Sequence, residues 1–398
     1  SSHGTHPHQQ RMTLWTVLAL LAFTAALMYA SVLAGWRRRI AGHVTMPVGN
    51  DREPVRISMI VPARDAASSI VPLLQDLHAQ RYPKDLLETI VVDDGSTDGT
   101  AALVEGLMRH WPGARLVRSQ GNGKKAAITT GVSHATGDLI LLTDADARCG
   151  AERAASLARA WQHEKPALML MPVRTVGGPS ALGRLQEEEQ YALQGATAGS
   201  ALGGTPALAN GANLAFDRKA FLAVGGYAGD RWASGDDMFL LGRMRKARRE
   251  VRYLLEPAVV VSVQAEMTWT GFIRQRLRWA GKMRAYHDFS GLLAALSTIL
   301  LPWGLAVLTV QVFLHARIGN GLFHTATVLA AAWCAWLFPT LLLGGAMRRF
   351  FSRADPHHGR ERCAAAWALI ALMAYVVYAP LVALLSLAVR PRWKGRRT

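Results

Sequence analysis

Thr89-Ile90-Val91-Val92-Asp93-Asp94-Gly95-Ser96-Thr97-Asp98-Gly99-Thr100 is a β-prone run that breaks into a polar, glycine-bearing turn and then opens a helical pattern, Thr100 to Trp111. The same unit recurs on both sides of it. Ile57 to Val61, Arg115 to Val117, Leu139 to Leu142 and Leu168 to Met171 read as further strands, and Ser68 to Gln80, Lys124 to His134 and Ala151 to His163 as further helices. Strands alternating with helices predict an α/β domain with a mostly parallel sheet and crossover helices. In such open sheets ligands bind beyond the carboxyl ends of the strands. Polar motifs stand at three of those ends: Pro62-Ala63-Arg64-Asp65, Asp93-Asp94-Gly95-Ser96 and Asp144-Ala145-Asp146.

Apolar residues are 51% of the chain but gather at its ends, whereas Val55 to Val263 has the composition of a globular domain. Leu14 to Leu33 carries no charge over about twenty residues, enough for roughly 30 Å of hydrocarbon, and Arg37-Arg38-Arg39 stops it. The basic cluster follows the apolar run, which favours a membrane anchor over a cleaved signal peptide. Leu292 to Leu314, Leu322 to Gly345 and Ala364 to Val389 are further candidate spans, with Pro302, Pro339 and Pro380 as possible kinks. If all four cross with Arg37 to Arg39 inside, the basic tail falls outside, against the positive-inside tendency. Leu292 to Leu314 is therefore expected to be re-entrant or interfacial.

The formal charge of +17 does not point to nucleic acid, because Arg37 to Arg39, Arg348 to Arg362 and Arg390 to Arg397 all flank hydrophobic spans. Cys149, Cys334 and Cys363 are too scattered for a disulfide framework or a zinc site, which suits a reducing cytosol. Ser1 to Arg11 reads as a cloning remnant ahead of Met12.

Two carboxylates one residue apart at a strand end, as in Asp144 and Asp146, can approach one hard divalent cation and leave its other positions to phosphate oxygens. Asp93 or Asp94 can accept hydrogen bonds from a nucleobase or ribose. The glycine-rich phosphate fingerprint of nicotinamide enzymes is missing after the first strand, which disfavours that class. Lys124, following Gly121-Asn122-Gly123 and opening a helix, is placed to meet phosphate. Asp236-Asp237 reads as an acid pair with a catalytic role, as a helix N-cap, or as both. Over Thr268 to His287, Gln275, Arg278, Trp279 and Lys282 share one helical face, while Ile273, Leu277 and Ala280 lie opposite. A basic amphipathic helix of this kind suits a membrane interface.

Taken in order, Val91 to Thr100, Gly123-Lys124, Asp144-Ala145-Asp146, Gly235-Asp236-Asp237 and Gln275-Arg276-Leu277-Arg278-Trp279 resemble the membrane-integrated glycosyltransferases of family 2, over roughly Arg56 to His287. Asp65-Ala66 replaces the family's usual Asn-Glu after the first strand, and Asp236 replaces the more frequent Glu. The resemblance implies a GT-A fold and a nucleotide-sugar donor, UDP-linked, with Mn2+ or Mg2+. It assigns Pro62, Arg64, Asp93, Asp94, Lys124, Asp144 and Arg278 to the donor, and Asp144 and Asp146 to the metal. It further assigns Asp237 as general base with Asp236 beside it, and Asn213, Gln275 and Trp279 to the acceptor. A single base opposite a metal-bound leaving group implies inversion.

The expected layout is a remnant at 1–11, an anchor helix at 12–36 and a GT-A domain at 54–263. An interface helix at 264–290, two or three spanning helices at 291–390 and a basic tail at 391–398 complete it. Transfer to a membrane lipid on the cytoplasmic face of the cell membrane is the expected function. Polysaccharide elongation is the rival, and a nucleotide-sugar sensor without turnover is disfavoured by Asp146 and Asp237.

Overall fold

The computed structural model describes residues 7–44, 54–229, 235–282, 289–316, 323–354, 363–388, 392–393 and 396–397. Residues 1–6, His287 and half of the basic tail lie outside the described residues, and Pro7 to Arg11 belong to the first helix.

Helix α1 (Pro7–Ala41) leads to strand β1 (Ile57–Ala63), which is buried on both faces and lies inside the large sheet. Then come α2 (Ile70–His78), β2 (Leu87–Asp93), α3 (Thr100–Met108), β3 (Ala114–Arg118), α4 (Lys124–His134) and β4 (Leu139–Thr143). These match the strand and helix pattern read from the sequence. The order β3-β2-β1-β4 is parallel throughout, so the turns after β1, β2 and β4 share one edge. The chain continues through β5 (Arg148–Cys149), α5 (Arg153–Glu164), β6 (Leu168–Leu170), β7 (Val173–Val176) and α6 (Ala181–Leu202). It goes on to β8 (Asn213–Asp217), α7 (Arg218–Ala223), α8 (Asp236–Lys246), β9 (Val251–Tyr253) and β10 (Val261–Gln264). Strand β8 enters the seven-stranded sheet antiparallel between β4 and β6, and β5-β10-β7 form a smaller sheet.

Two apolar cores line the two sides of the large sheet. One joins β1, β2 and β4 to α2, α3 and α5, with Ile70, Leu73, Val104 and Leu157 fully buried. The other begins with Ile60, Ile90 and Ile128 and runs without a break to Leu33 and Ile40 of α1 and to Leu343, Met347 and Phe351 of α11 (Phe323–Ala354). The apolar core of residues 54–263 is thus continuous with that of the long apolar helices. Helix α6 lies inside that range yet packs between α1, α11 and α12 (Ala364–Ala388). A Cβ on Gly199 of α6 would stand 2.2 Å from the Trp36 Cβ, so only glycine admits this approach.

Among the described residues three helices are long and apolar enough to cross a membrane, at Leu14–Ala41, Phe323–Ala354 and Ala364–Ala388. Helix α10 (Phe289–Ala316) runs through Pro302 as one helix. Its Leu305 and Val312 pack with Ala19, Ala26 and Trp336, and Trp333 Nε1 donates to Thr309 Oγ1 at 2.9 Å. The segment expected to be re-entrant or interfacial thus packs on α1, α11 and α12, and it is not among the three helices long and apolar enough to cross. Helix α9 (Trp269–Lys282) occupies the expected amphipathic stretch and packs on α12, with the Phe272 and Tyr378 rings 5.3 Å apart.

Candidate active site

Register brings the first motifs together. Ala63 pairs with Asp93 on the last rung of β1 and β2, and Asp94 N donates to Ala63 O at 2.8 Å. Half-buried Arg64 donates from Nη1 to Asp94 O at 2.9 Å, beside half-buried Pro62. The two adjacent aspartates face different ways. Asp93 accepts from Ser96 N at 3.1 Å and so closes its own turn, whereas both Asp94 oxygens accept from Gly123 N at 2.9 and 3.1 Å. Gly123, at φ 94°, is the N-cap of α4, and Asp94 thereby fixes where Lys124 begins the helix.

The antiparallel step between β4 and β8 assembles the rest. Thr143 pairs with Asn213, so the chain leaving β4 at Asp144 runs beside the chain entering β8 through Gly211 and Ala212. Lys124 Nζ lies 2.7 Å from Asp144 Oδ1 and 3.1 Å from Asp236 Oδ2. Burial pulls this ammonium's pKa down, but Asp144, Asp236 and Asp237 outweigh it and hold the pKa above the ordinary lysine value. Lys124 is therefore a permanent cation here. Asp236 and Asp237 are buried in the first turn of α8, where the helix dipole favours carboxylates. Asp237 Oδ2 accepts from Gly211 N at 3.2 Å and its Oδ1 from Met238 N at 2.8 Å. A Cβ on Gly211 would lie 2.7 Å from Asp236 Oδ2 and 2.8 Å from Lys124 Nζ. Gly211 is thus a site residue that the sequence reading passed over; its signal was the Asn210-Gly211 turn.

Asn213 corrects an expectation. It is fully buried, its Nδ2 donates to Pro172 O at 2.8 Å and Val259 O at 2.9 Å, and its Oδ1 accepts from Arg153 Nη2 at 2.7 Å. Both polar atoms of the amide bond inside the fold and none of the residue is exposed, so it does not reach an acceptor. Arg153, also missed, is fully buried and donates as well to Thr143 Oγ1 at 2.6 Å and Leu142 O at 3.1 Å. Together the two side chains pin the end of β4, which carries Asp144, to the start of β8.

On α9 the expected apolar side is only partly right. Leu277 is buried, but the deepest polar side chain is Arg276, whose guanidinium lies 4.5 Å from the Phe272 ring centroid and 4.3 Å from that of Trp279. Gln275 Nε2 donates to Glu266 Oε1 at 3.3 Å and its Oε1 accepts from Arg276 Nη1 at 2.6 Å. Arg278 and Trp279 are half-buried.

Half-buried Asp144 and exposed Asp146 fit a hard divalent cation that completes its shell with substrate phosphates. Among the described residues no group of three or more His, Cys, Asp or Glu side chains forms a cage without such help.

A mostly parallel sheet with acidic strand ends on one edge is the GT-A architecture. The whole structure superposes on a mannosyltransferase from Pyrobaculum calidifontis, solved in complex with GDP-Man and Mn2+, with a TM-score of 0.58 over 92% of this chain and 99% of that one. At 22% identity this is a likeness of fold. Residues 58–225 match Glycosyl transferase family 2, and the chain carries a domain of that family. It is 28% identical over 238 residues to the probable glycosyltransferase YdaM of Bacillus subtilis, covering 58% of this chain and 56% of the relative. It is also 24% identical over 226 residues to the poly-β-1,6-N-acetyl-D-glucosamine synthase of Staphylococcus aureus, 56% of this chain and 53% of that one. The chain thus spans about half the length of these relatives.

Proposed function

We propose that this chain is an inverting, metal-dependent glycosyltransferase that moves a sugar from a UDP-linked donor to a membrane lipid on the cytoplasmic face of the cell membrane. The observation that carries the proposal is the convergence of Lys124, Asp144, Asp236 and Asp237 beyond the ends of β4 and α4. Asp94 and Arg64 lie where a nucleotide base would rest, and Asp144 with Asp146 would hold Mn2+ or Mg2+. When bound, that cation neutralises charge on the leaving diphosphate. Lys124 and Arg278 add positive charge on the same side. Asp237 takes the proton from the acceptor hydroxyl as its oxygen attacks the anomeric carbon. The bond from that carbon to the diphosphate breaks on the opposite face, so the configuration inverts. Gln275 and Trp279 face the acceptor, and three apolar helices with α9 beside them keep the site at the bilayer.

Chain elongation of a polysaccharide is the second reading, favoured by the Gln275 to Trp279 motif and by the likeness to a polysaccharide synthase. The two part in one experiment. The purified protein is incubated with Mn2+, a panel of nucleotide sugars and a total lipid extract, and the organic phase is analysed by mass spectrometry. A lipid heavier by one sugar supports the first reading; a ladder or an aqueous polymer replaces it with the second. No product from any donor, with or without Mn2+, contradicts both.

A further inference from the structure

Glu187, Glu188 and Glu189 are consecutive on α6, and at about 100° of rotation per residue they point to three sides of the helix. Each meets an arginine from a different part of the molecule. Glu187 Oε1 lies 3.6 Å from Arg174 Nη2 of β7, and Glu188 pairs with Arg348 of α11. Glu189 takes Arg276 of α9 in a two-pronged pair, with Nη2 at 2.6 Å and Nε at 3.1 and 3.2 Å from its oxygens. In that last pair only 6% of the arginine and 13% of the glutamate side chain is exposed.

Arg276 in turn orders its own helix, since it donates to Gln275 and lies against the Trp279 ring. The second grip on the motif also comes from α6. Gln186 Nε2 donates to Glu266 O at 2.9 Å and its Oε1 accepts from Glu266 N at 3.0 Å, while Glu266 Oε1 holds Gln275.

From this arrangement we infer that Glu189, acting through Arg276, is the positioning residue for the acceptor side of the site, which it sets from a helix packed among the membrane helices. The inference deepens the proposed function and rests on it for the word acceptor. Apart from Arg278 on α9 itself, the donor contacts are carried by β1, β2, β4 and α4, which share none of these ion pairs. Losing Glu189 should therefore disturb the acceptor side more than the donor side.

The test uses the full chain in lipid nanodiscs and compares wild type, Glu189→Gln and Glu188→Gln. Hydrogen exchange over residues 269–282 should rise about tenfold or more in Glu189→Gln, with β1, β2 and β4 unchanged, and stay at the wild-type rate in Glu188→Gln. Unchanged protection of 269–282 in Glu189→Gln overturns the inference, and so does a uniform rise through β1, β2 and β4. In the transfer assay with total lipid extract, the lipid KM should rise about tenfold while the nucleotide-sugar KM, to which α9 contributes Arg278, rises about threefold or less. An equal rise in both overturns it. If wild type transfers nothing to lipid, the proposed function fails while the exchange experiment still decides the positioning.

Discussion

Between Ile57 and Cys149 the polar contacts join loops that follow neighbouring strands: Gly123 to Asp94, Thr97 to Asp65, Arg64 to Asp94. Around α6 they join elements that meet only through tertiary packing: Arg174 of β7 to Glu187, Arg276 of α9 to Glu189, Arg348 of α11 to Glu188. The donor half is thus fixed mainly by its own backbone, since once the parallel ladder forms, the register brings the turns together. The acceptor half is fixed by ion pairs in a low-dielectric setting, and one apolar core joins both halves to α1 and α11. On the proposed function, a donor side held by its own strands and an acceptor side fastened to the apolar helices would suit transfer from a soluble donor to a bilayer-borne acceptor.

The largest effect is expected where the halves touch. Lys124→Ala leaves Asp144 and Asp236 facing each other without their shared cation, and should cost about 3–5 kcal/mol of stability, read as a lower thermal midpoint. It should also weaken nucleotide-sugar binding, measured by calorimetry. An unchanged midpoint would show that the two halves are not joined there.

Gly211→Ala probes the same seam by shape alone. Its Cβ, built 2.7 Å from Asp236 Oδ2, has to push the carboxylate or the loop away, at about 1–3 kcal/mol. Turnover should fall more than donor binding. Gly199→Ala does the equivalent at the join of α6 with α1, also about 1–3 kcal/mol, and should leave donor binding intact.

The smallest effect sharpens the donor half. Glu88 lies buried at the start of β2, the end of the strand away from Asp93. Burial raises its carboxyl, but hydrogen bonds from Ser58 and Thr136, with the Arg115 charge, outweigh this and hold it below the usual carboxylate range. A depressed folded value means stability that is present above the unfolded pKa and lost as pH falls through the folded one. Glu88→Gln should therefore cost about 1–2 kcal/mol at neutral pH, and the gap to wild type should close below about pH 4, followed by urea denaturation across pH.

The difference between the halves also explains what the sequence disclosed. Strands β1 to β4 and helices α2 to α5 are set by short-range periodicity, and the aspartate turns follow the strands that carry them, so both were legible. Strand β8 was read only as a short strand beside a polar turn. Its antiparallel insertion depends on pairing Thr143 with Asn213, seventy residues apart, which no local pattern announces. Asn213 was misjudged for the same reason: an amide beside a turn looks like a ligand until its three partners, Arg153 of α5, Pro172 before β7 and Val259 before β10, are in place. Glu187 to Glu189 carry no local signal of their role, because the arginines they meet come from positions up to 160 residues away.

The central claim is that chemistry takes place at the seam, with Asp237 as the base. It is tested most directly by Asp237→Asn, assayed in parallel for nucleotide-sugar binding and for sugar transfer with Mn2+ and lipid extract. The side chain keeps its size and its acceptor oxygen for Gly211 N. Transfer should fall by about 10²- to 10⁴-fold while binding stays within about twofold. Transfer at the wild-type rate would contradict the assignment of Asp237, and with it the place given to the reaction.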